Sequence, residues 1–248
     1  MEYSRTASAN MVGMLVFPEL VPVDGARAGV RRERSDVSAR KVFDAPLEPR
    51  LGNVRTSVLS FQNMHLYGDL LVNFLRARKR TFIDRLQWSL PEVDGMEFDQ
   101  YDTPVSRWIV IHEFGEVLGG IRLTPTTARC GIYTYMLRDA QKGLLDEIPT
   151  DVLFFEAPVS KSVWEASRLF IAEDVPSHRR LQIQSIIMET LTKSAMELGA
   201  SQVIGIVPAV WSRWLRRMEL GAVPVGPKFA IEGTASQAAL FNTLRHRN

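Results

Sequence analysis

Val163-Trp164-Glu165-Ala166-Ser167-Arg168-Leu169-Phe170-Ile171 reads as a β-strand from the middle of a sheet, yet it carries two charges. Its apolar residues are too continuous for a strand with one wet face. Charge in a core is costly unless it is paired, so Glu165 and Arg168 require partners. They stand three residues apart, which sends side chains to opposite faces of a regular strand. A β-bulge between them would return both to one side.

The segments on either side repeat the theme. In Gly119-Gly120-Ile121-Arg122-Leu123 an arginine interrupts another core strand and points away from Ile121 and Leu123. Residues 108–114 and 117–123 form two strands joined at Gly115-Glu116, a hairpin signal. Upstream, Val58 to Phe61 reads as a short strand. Leu71, Phe74, Leu75, Arg78 and Phe82 recur at helical spacing, which predicts a helix over about 66–87. A polar loop from Asp94-Gly95 to Pro104 holds Asp99 and Asp102. Downstream come a short helix near 137–144, an amphipathic helix from Arg179 to Leu198 that stops at Gly199, and a buried strand from Val203 to Val207. A helix from Ala209 to Leu220 follows, then one or two strands and a short terminal helix. Helices alternating with strands, plus a hairpin, predict an α/β sandwich around a mixed sheet.

Composition narrows the function. The 248 residues suffice for one domain with an appendage, and 46% hydrophobic content supports a packed core. Lys and Arg total 30 against 28 Asp and Glu, a balance that argues against a nucleic-acid binder. One cysteine, Cys130, rules out an intrachain disulfide and suits a reducing cytoplasm. The four histidines lack metal-ligand spacing. No stretch approaches a membrane span and no secretory signal is evident, so a cytoplasmic location is expected. Residues 1–55 are rich in proline and charge with little periodicity; they are expected to be a poorly ordered extension before a domain at 56–248.

Arg78 lies on the apolar stripe of its helix, where it either snorkels to solvent or meets a buried anion. Phe82 and Trp88 read equally as core or as ligand contacts. Asp99 and Asp102 in isolation are solvated turn residues. Together with Arg122, Glu165 and Arg168 they form a set. Arg78-x3-Phe82-x5-Trp88-x10-Asp99-x2-Asp102, then Gly-Gly-Ile-Arg122-Leu, then Glu165-x2-Arg168 resembles the acyl-homoserine-lactone synthases, the LuxI-type autoinducer synthases. The resemblance is strong over about 57–225.

The resemblance implies a three-layer α/β/α sandwich like the GNAT-type N-acyltransferases, with a mixed sheet splayed at one point. It implies a quorum-sensing synthase that joins S-adenosylmethionine to an acyl thioester and releases methylthioadenosine. S-adenosylmethionine is then a substrate, and no cofactor or metal is implied. Glu165 becomes the candidate proton acceptor, in one ion-pair network with Asp99, Asp102, Arg122 and Arg168. Arg78, Phe82 and Trp88 become a lid over the nucleotide. Many relatives of the wider fold bind coenzyme A through a glycine loop at a helix start; Pro176 to Gln182 has no glycine there, which favours an acyl carrier protein as donor. Arg179-Arg180, with Arg213, Arg216 and Arg217 on one helix face, are candidates for docking that carrier, against the alternative of a solvated helix face. Gly205 falls where a threonine accompanies 3-oxoacyl substrates in the resembled enzymes, and is the acyl-pocket candidate. Two competing functions stay open: another GNAT-type N-acyltransferase using acyl-CoA, and a non-catalytic protein that binds S-adenosylmethionine or an acyl carrier.

Overall fold

The computed structural model describes residues 52–209, 211, 221–231 and 233–243. The first described strand is β1 (Val54–Leu59). Helix α1 (Leu70–Lys79) follows, then a π-helical turn over Arg80–Arg85. The expected single helix over 66–87 is therefore three pieces: a 3-10 turn at Met64–Tyr67, α1 and the π turn. The expected turn at Asp94-Gly95 joins a two-stranded ribbon, β2 (Glu92–Val93) with β3 (Met96–Glu97), so the expected loop begins with a strand.

The main sheet continues with β4 (Arg107–Glu113) and β5 (Glu116–Pro125), the hairpin expected from the sequence. After α2 (Met136–Gln141) come β6 (Val163–Ile171), α3 (Ser177–Glu197), β7 (Gln202–Pro208), β8 (Val223–Ile231) and β9 (Thr234–Asn242). Seven strands lie in the order β1-β4-β5-β6-β7-β9-β8, with β6 and β7 parallel and the other neighbours antiparallel. The helix expected at Ala209–Leu220 lies mostly outside the described residues. A strand, β9, occupies most of the place where a terminal helix was expected, and residues 244–248 are outside the described residues.

Both faces of the sheet are covered, which is why β4 reads Trp-Ile-Val-Ile without polar alternation. Trp108, Val110 and Phe170 pack under Phe74 and Leu75 of α1. Ile109, Ile111 and Ile121 face the other way, onto Ile183, Ile187 and Leu191 of α3. Helix α2 covers Val163 and Ile204. The result is a three-layer α/β/α sandwich. Gly120 admits a close approach: a Cβ there would lie 2.2 Å from the Ile109 carbonyl oxygen and 2.7 Å from the Phe74 ring.

Two irregularities create the site. Opposite Ile121 of β5, strand β6 presents two residues, Arg168 and Leu169, so the register slips between Ser167 and Phe170. Arg168 takes φ 56° there. This is the bulge that the Glu165–Arg168 spacing required. The parallel pairing of β6 with β7 runs only from Val163–Gln202 to Ala166–Gly205. Beyond Ala166 the two strands part, and the gap opens into a cavity.

Candidate active site

Six charges, five buried and Arg168 partly exposed, form a closed ring. Arg78 of α1 donates from both terminal nitrogens to Asp102, at 2.7 and 3.0 Å. It also pairs with Glu97 of β3. Glu97 accepts from Arg168 at 3.1 Å, and Arg168 donates to Asp99 at 2.9 Å. Asp99 is held by Arg122 at 2.5 and 3.2 Å, and Arg122 returns to Asp102 at 3.0 Å. Three arginines thus alternate with three carboxylates, and the ring has no net charge. Arg78, Arg122 and Glu97 are fully buried. Such burial is tolerable because each charge meets two of opposite sign in a fork geometry.

Neutral groups complete the ring. The Trp108 indole and the Asp99 backbone amide donate to Asp102 at 2.9 and 3.0 Å, and Arg122 donates to the Ser167 hydroxyl at 3.1 Å. The Arg122 and Arg78 guanidinium groups hold Asp102 well below the ordinary carboxylate range despite its burial. Asp99 is likewise lowered, by Arg122 and Arg168, although burial opposes them.

Glu165 stands apart, which corrects the expectation that it joins the ion-pair network. Its two oxygens accept from the backbone amides of Met136 and Leu137, at 3.0 and 2.8 Å, where α2 begins. With no arginine in direct contact, burial raises its pKa from 4.5 to about 7, against the pull of those amides and of Arg122. A carboxyl poised there accepts a proton at neutral pH.

A cavity of about 380 Å³ lies where β6 and β7 part. Asp99, Ser167 and Arg168 give it a polar end, whereas Leu145, Ile148, Ile206 and Val207 are apolar. Phe82 and Trp88 wall it, their rings stacked with centroids 5.1 Å apart, and the Arg168 guanidinium lies 5.8 Å from the Phe82 ring centre. Arg78 does not line the cavity, because its guanidinium is held in the ring by Asp102 and Glu97; the three-residue lid expected from the sequence is reduced to Phe82 and Trp88. Gly205 lines a second cavity of about 50 Å³ on the α3 side, which shares Arg168, Leu169, Ile206 and Val207 with the first.

The docking candidates divide. Arg180 is 6% exposed and donates to the carbonyls of Ala172 and Val175 at 3.0 and 3.4 Å, so it organises the entry to α3 and is not a surface charge. Arg179 pairs with Glu113 at 3.0 Å at the surface. Arg213, Arg216 and Arg217 lie outside the described residues. Cys130 is exposed. Among the described residues no cluster of His, Cys, Asp or Glu has metal-binding geometry, and no helix is long and apolar enough to cross a membrane.

Sequence reasoning missed Glu97. From the sequence, Glu165 counts as the third acid against the three arginines; once backbone amides take Glu165, the ring lacks one acid, and Glu97 supplies it.

Residues 63–247 match the protein family described as Autoinducer synthase. The chain belongs to the autoinducer synthase family. The synthase is 31% identical over 186 residues to an acyl-homoserine-lactone synthase from Pseudomonas aeruginosa, covering 73% of this chain and 84% of that one. It is 26% identical over 189 residues to the isovaleryl-homoserine lactone synthase of Bradyrhizobium diazoefficiens, covering 75% and 79%. Among solved structures, the CoA-dependent acyl-homoserine lactone synthase BjaI, with SAM and isopentyl-CoA, aligns with a TM-score of 0.61 and 26% identity over 77% of this chain and 84% of that one. An acyl-CoA N-acyltransferase from Pseudomonas aeruginosa, 14% identical with a TM-score of 0.50 over 76% of this chain and 99% of that one, shares the fold alone. The synthase is thus an acyltransferase with a GNAT-like fold, acting in the synthesis of an acyl-homoserine lactone signal.

Proposed function

We propose that the enzyme joins S-adenosylmethionine to an acyl thioester carried on an acyl carrier protein, and releases an acyl-homoserine lactone, methylthioadenosine and the free thiol. The observation that carries this reading is the cavity itself, with a charged, pre-ordered end at Asp99 and Arg168 and an apolar end between β6 and β7. A zwitterionic amino acid fits the first and a fatty chain the second.

In this reading the ring does not move protons. Asp99 and Asp102 are held ionised by their arginines, so the ring fixes the wall against which the methionine part lies. Arg168, 11% exposed, presents its cation to a substrate carboxylate, and Phe82 and Trp88 offer aromatic faces to the sulfonium. Glu165 takes the proton lost by the α-amine. The amine nitrogen attacks the thioester carbonyl, the C–N bond forms and the C–S bond breaks. The methionine carboxylate then displaces methylthioadenosine from its own γ-carbon. That closure is intramolecular and needs chiefly that the chain be held folded. Both bonds form by displacement at polar centres, so the proposed chemistry needs no separate cofactor.

The start of α3 supports the carrier-protein donor: it contains no glycine, Arg180 is turned inward and Arg179 is engaged by Glu113. The likeness to a CoA-dependent synthase favours acyl-CoA instead. Purified enzyme with S-adenosylmethionine and matched acyl thioesters separates the two. Lactone and methylthioadenosine in equal amounts, with kcat/KM at least tenfold higher for the carrier-bound acyl group, are expected. Equal or better use of acyl-CoA would overturn the donor assignment, and an acylated amine without methylthioadenosine would overturn the synthase reading.

A further inference from the structure

Where β6 and β7 part, two cavities meet. The larger, of about 380 Å³, is the one described above; the smaller, of about 50 Å³, lies on the α3 side of the sheet. Among the described residues six line both: Ser167, Arg168, Leu169, Ile206, Val207 and Trp211. Five of them belong to β6 and β7. Trp211 comes from the chain beyond β7, has the bulkiest side chain of the six, and is 1% exposed.

Two features hold Trp211 in place. Just before it, the Ala209 amide donates to the Ala235 carbonyl at 2.8 Å, which ties the chain leaving β7 to the start of β9. Its side chain belongs to the same buried apolar cluster as Met188, Leu191 and Phe241. Those three also line the smaller cavity, and Ala166, Gly205 and Ala239, neighbours across β6, β7 and β9, leave it room. Close-packed cores leave few such spaces unfilled, and burying a methylene in one is favourable. Ile206 and Val207 belong both to the apolar end of the larger cavity and to the shared wall. An acyl chain that runs along them toward the smaller cavity meets Trp211.

We propose that Trp211 sets the longest acyl chain the enzyme accepts: the methyl end of a linear acyl group stops against its ring, which keeps the smaller cavity out of reach. This rests on the synthase reading above. It makes Trp211 a specificity-determining residue for the acyl thioester and not for S-adenosylmethionine.

The test is kcat/KM of the whole enzyme, read as methylthioadenosine release, for linear saturated acyl thioesters that lengthen one carbon at a time. In the wild type it should fall at least tenfold once the chain exceeds its optimum by about two carbons, because a methylene that does not fit costs about tenfold or more. Trp211→Ala should move the optimum longer by about two carbons or more, and should exceed the wild type at least tenfold on that longer thioester. KM for S-adenosylmethionine should stay within threefold. Trp211→Phe, which keeps an aromatic ring in the core, should move the optimum in the same direction by less. Loss of folding lowers turnover on every thioester, so it cannot produce a gain on the longer one. Ala239→Val narrows the smaller cavity. Alone it should leave the chain-length profile unchanged; added to Trp211→Ala it should cancel the extension. An unchanged optimum in a folded Trp211 variant, an extension that Ala239→Val does not reduce, or a tenfold rise in KM for S-adenosylmethionine would each overturn the assignment. Failure of both Trp211 variants to fold would overturn it too, by making the ring a core residue alone. Absence of lactone from the wild-type enzyme with every thioester would instead overturn the synthase reading, and this assignment with it.

Discussion

Arg168 donates to Asp99 at 2.9 Å from a backbone position held at φ 56°. Few residues other than glycine occupy that region, and an L side chain there costs roughly 1–2 kcal/mol. The bulge turns Arg168 back toward the face that carries Glu97, Asp99 and Arg122, so the strain and the ion pairs are one feature. Replacing Arg168 separates them. Arg168→Gly relieves the backbone and loses the charge, whereas Arg168→Ala loses the charge and keeps the strain. Both are expected to abolish turnover, with Arg168→Gly about 1 kcal/mol more stable than Arg168→Ala in urea denaturation. Equal stabilities would show that the bulge is relaxed without its arginine.

Glu97 bridges Arg78 and Arg168 from a two-residue strand, and all of its partners are buried or nearly so. Removing one member of a buried pair leaves an uncompensated charge and costs about 3–5 kcal/mol. Glu97→Ala should therefore destabilise the enzyme by about that amount, since two arginines lose an acceptor. Glu97→Gln should fall between Glu97→Ala and wild type, because its amide oxygen still accepts one hydrogen bond. A double cycle of Glu97→Ala with Arg168→Ala is expected to be strongly non-additive. Additive losses would mean that the ring does not act as a unit.

Much of this was legible in the sequence, and the reasons differ by residue. Strand β6 was read with its full bounds because a continuous apolar run flanked by loops fixes a buried strand, and its two misplaced charges announced the bulge. Helix α3 followed from its apolar stripe and from Gly199. Glu97 was hidden because a glutamate beside Asp94-Gly95 looks like any solvated turn residue; only neutrality of the ring singles it out. The partners of Glu165 are backbone amides, and no side-chain pattern encodes them. Strand β9 was hidden for another reason. Thr-Ala-Ser-Gln-Ala-Ala-Leu-Phe-Asn has fair helix propensity, and pairing with β7 on one side and β8 on the other overrides it.

Gly205 stands where β6 and β7 make their last parallel pair, and a Cβ there would lie 2.5 Å from the Ala166 carbonyl oxygen. Backbone on one side and sheet on the other leave no easy relaxation. Gly205→Ala and Gly205→Thr should each destabilise the enzyme, by roughly 1–3 kcal/mol, and move the point at which the strands part. Mass spectrometry of the lactones beside urea denaturation checks this. Stability and turnover should fall together in both variants, whatever the acyl chain. A clean switch of product at unchanged stability would make Gly205 a specificity residue and not a spacing residue.

The raised pKa of Glu165 ties activity and stability to pH in opposite directions. Ionised Glu165 accepts the amine proton, so kcat/KM should rise with a midpoint near pH 7, the value at which the buried carboxyl ionises. For stability, the native state holds the proton up to about pH 7, whereas the unfolded chain releases it near 4.5. Between those values the unfolded state binds fewer protons, so stability falls as pH rises, by up to roughly 3 kcal/mol, and is level above pH 7. Asp99 and Asp102, held low by their arginines, act in the opposite sense, and only at pH values below the ordinary carboxylate range. Glu165→Gln should flatten the slope between pH 4.5 and 7. It also deprives the Met136 or Leu137 amide of an acceptor, a loss of about 1–2 kcal/mol that does not vary with pH. Urea denaturation of both proteins at half-unit intervals from pH 4.5 to 8 reads the difference: the wild type should lead by about 1–2 kcal/mol near pH 4.5, and the gap should close and reverse by pH 7. A gap that stays constant would show that Glu165 ionises in the folded enzyme as it does in water, and the acid limb of activity would then belong to another group.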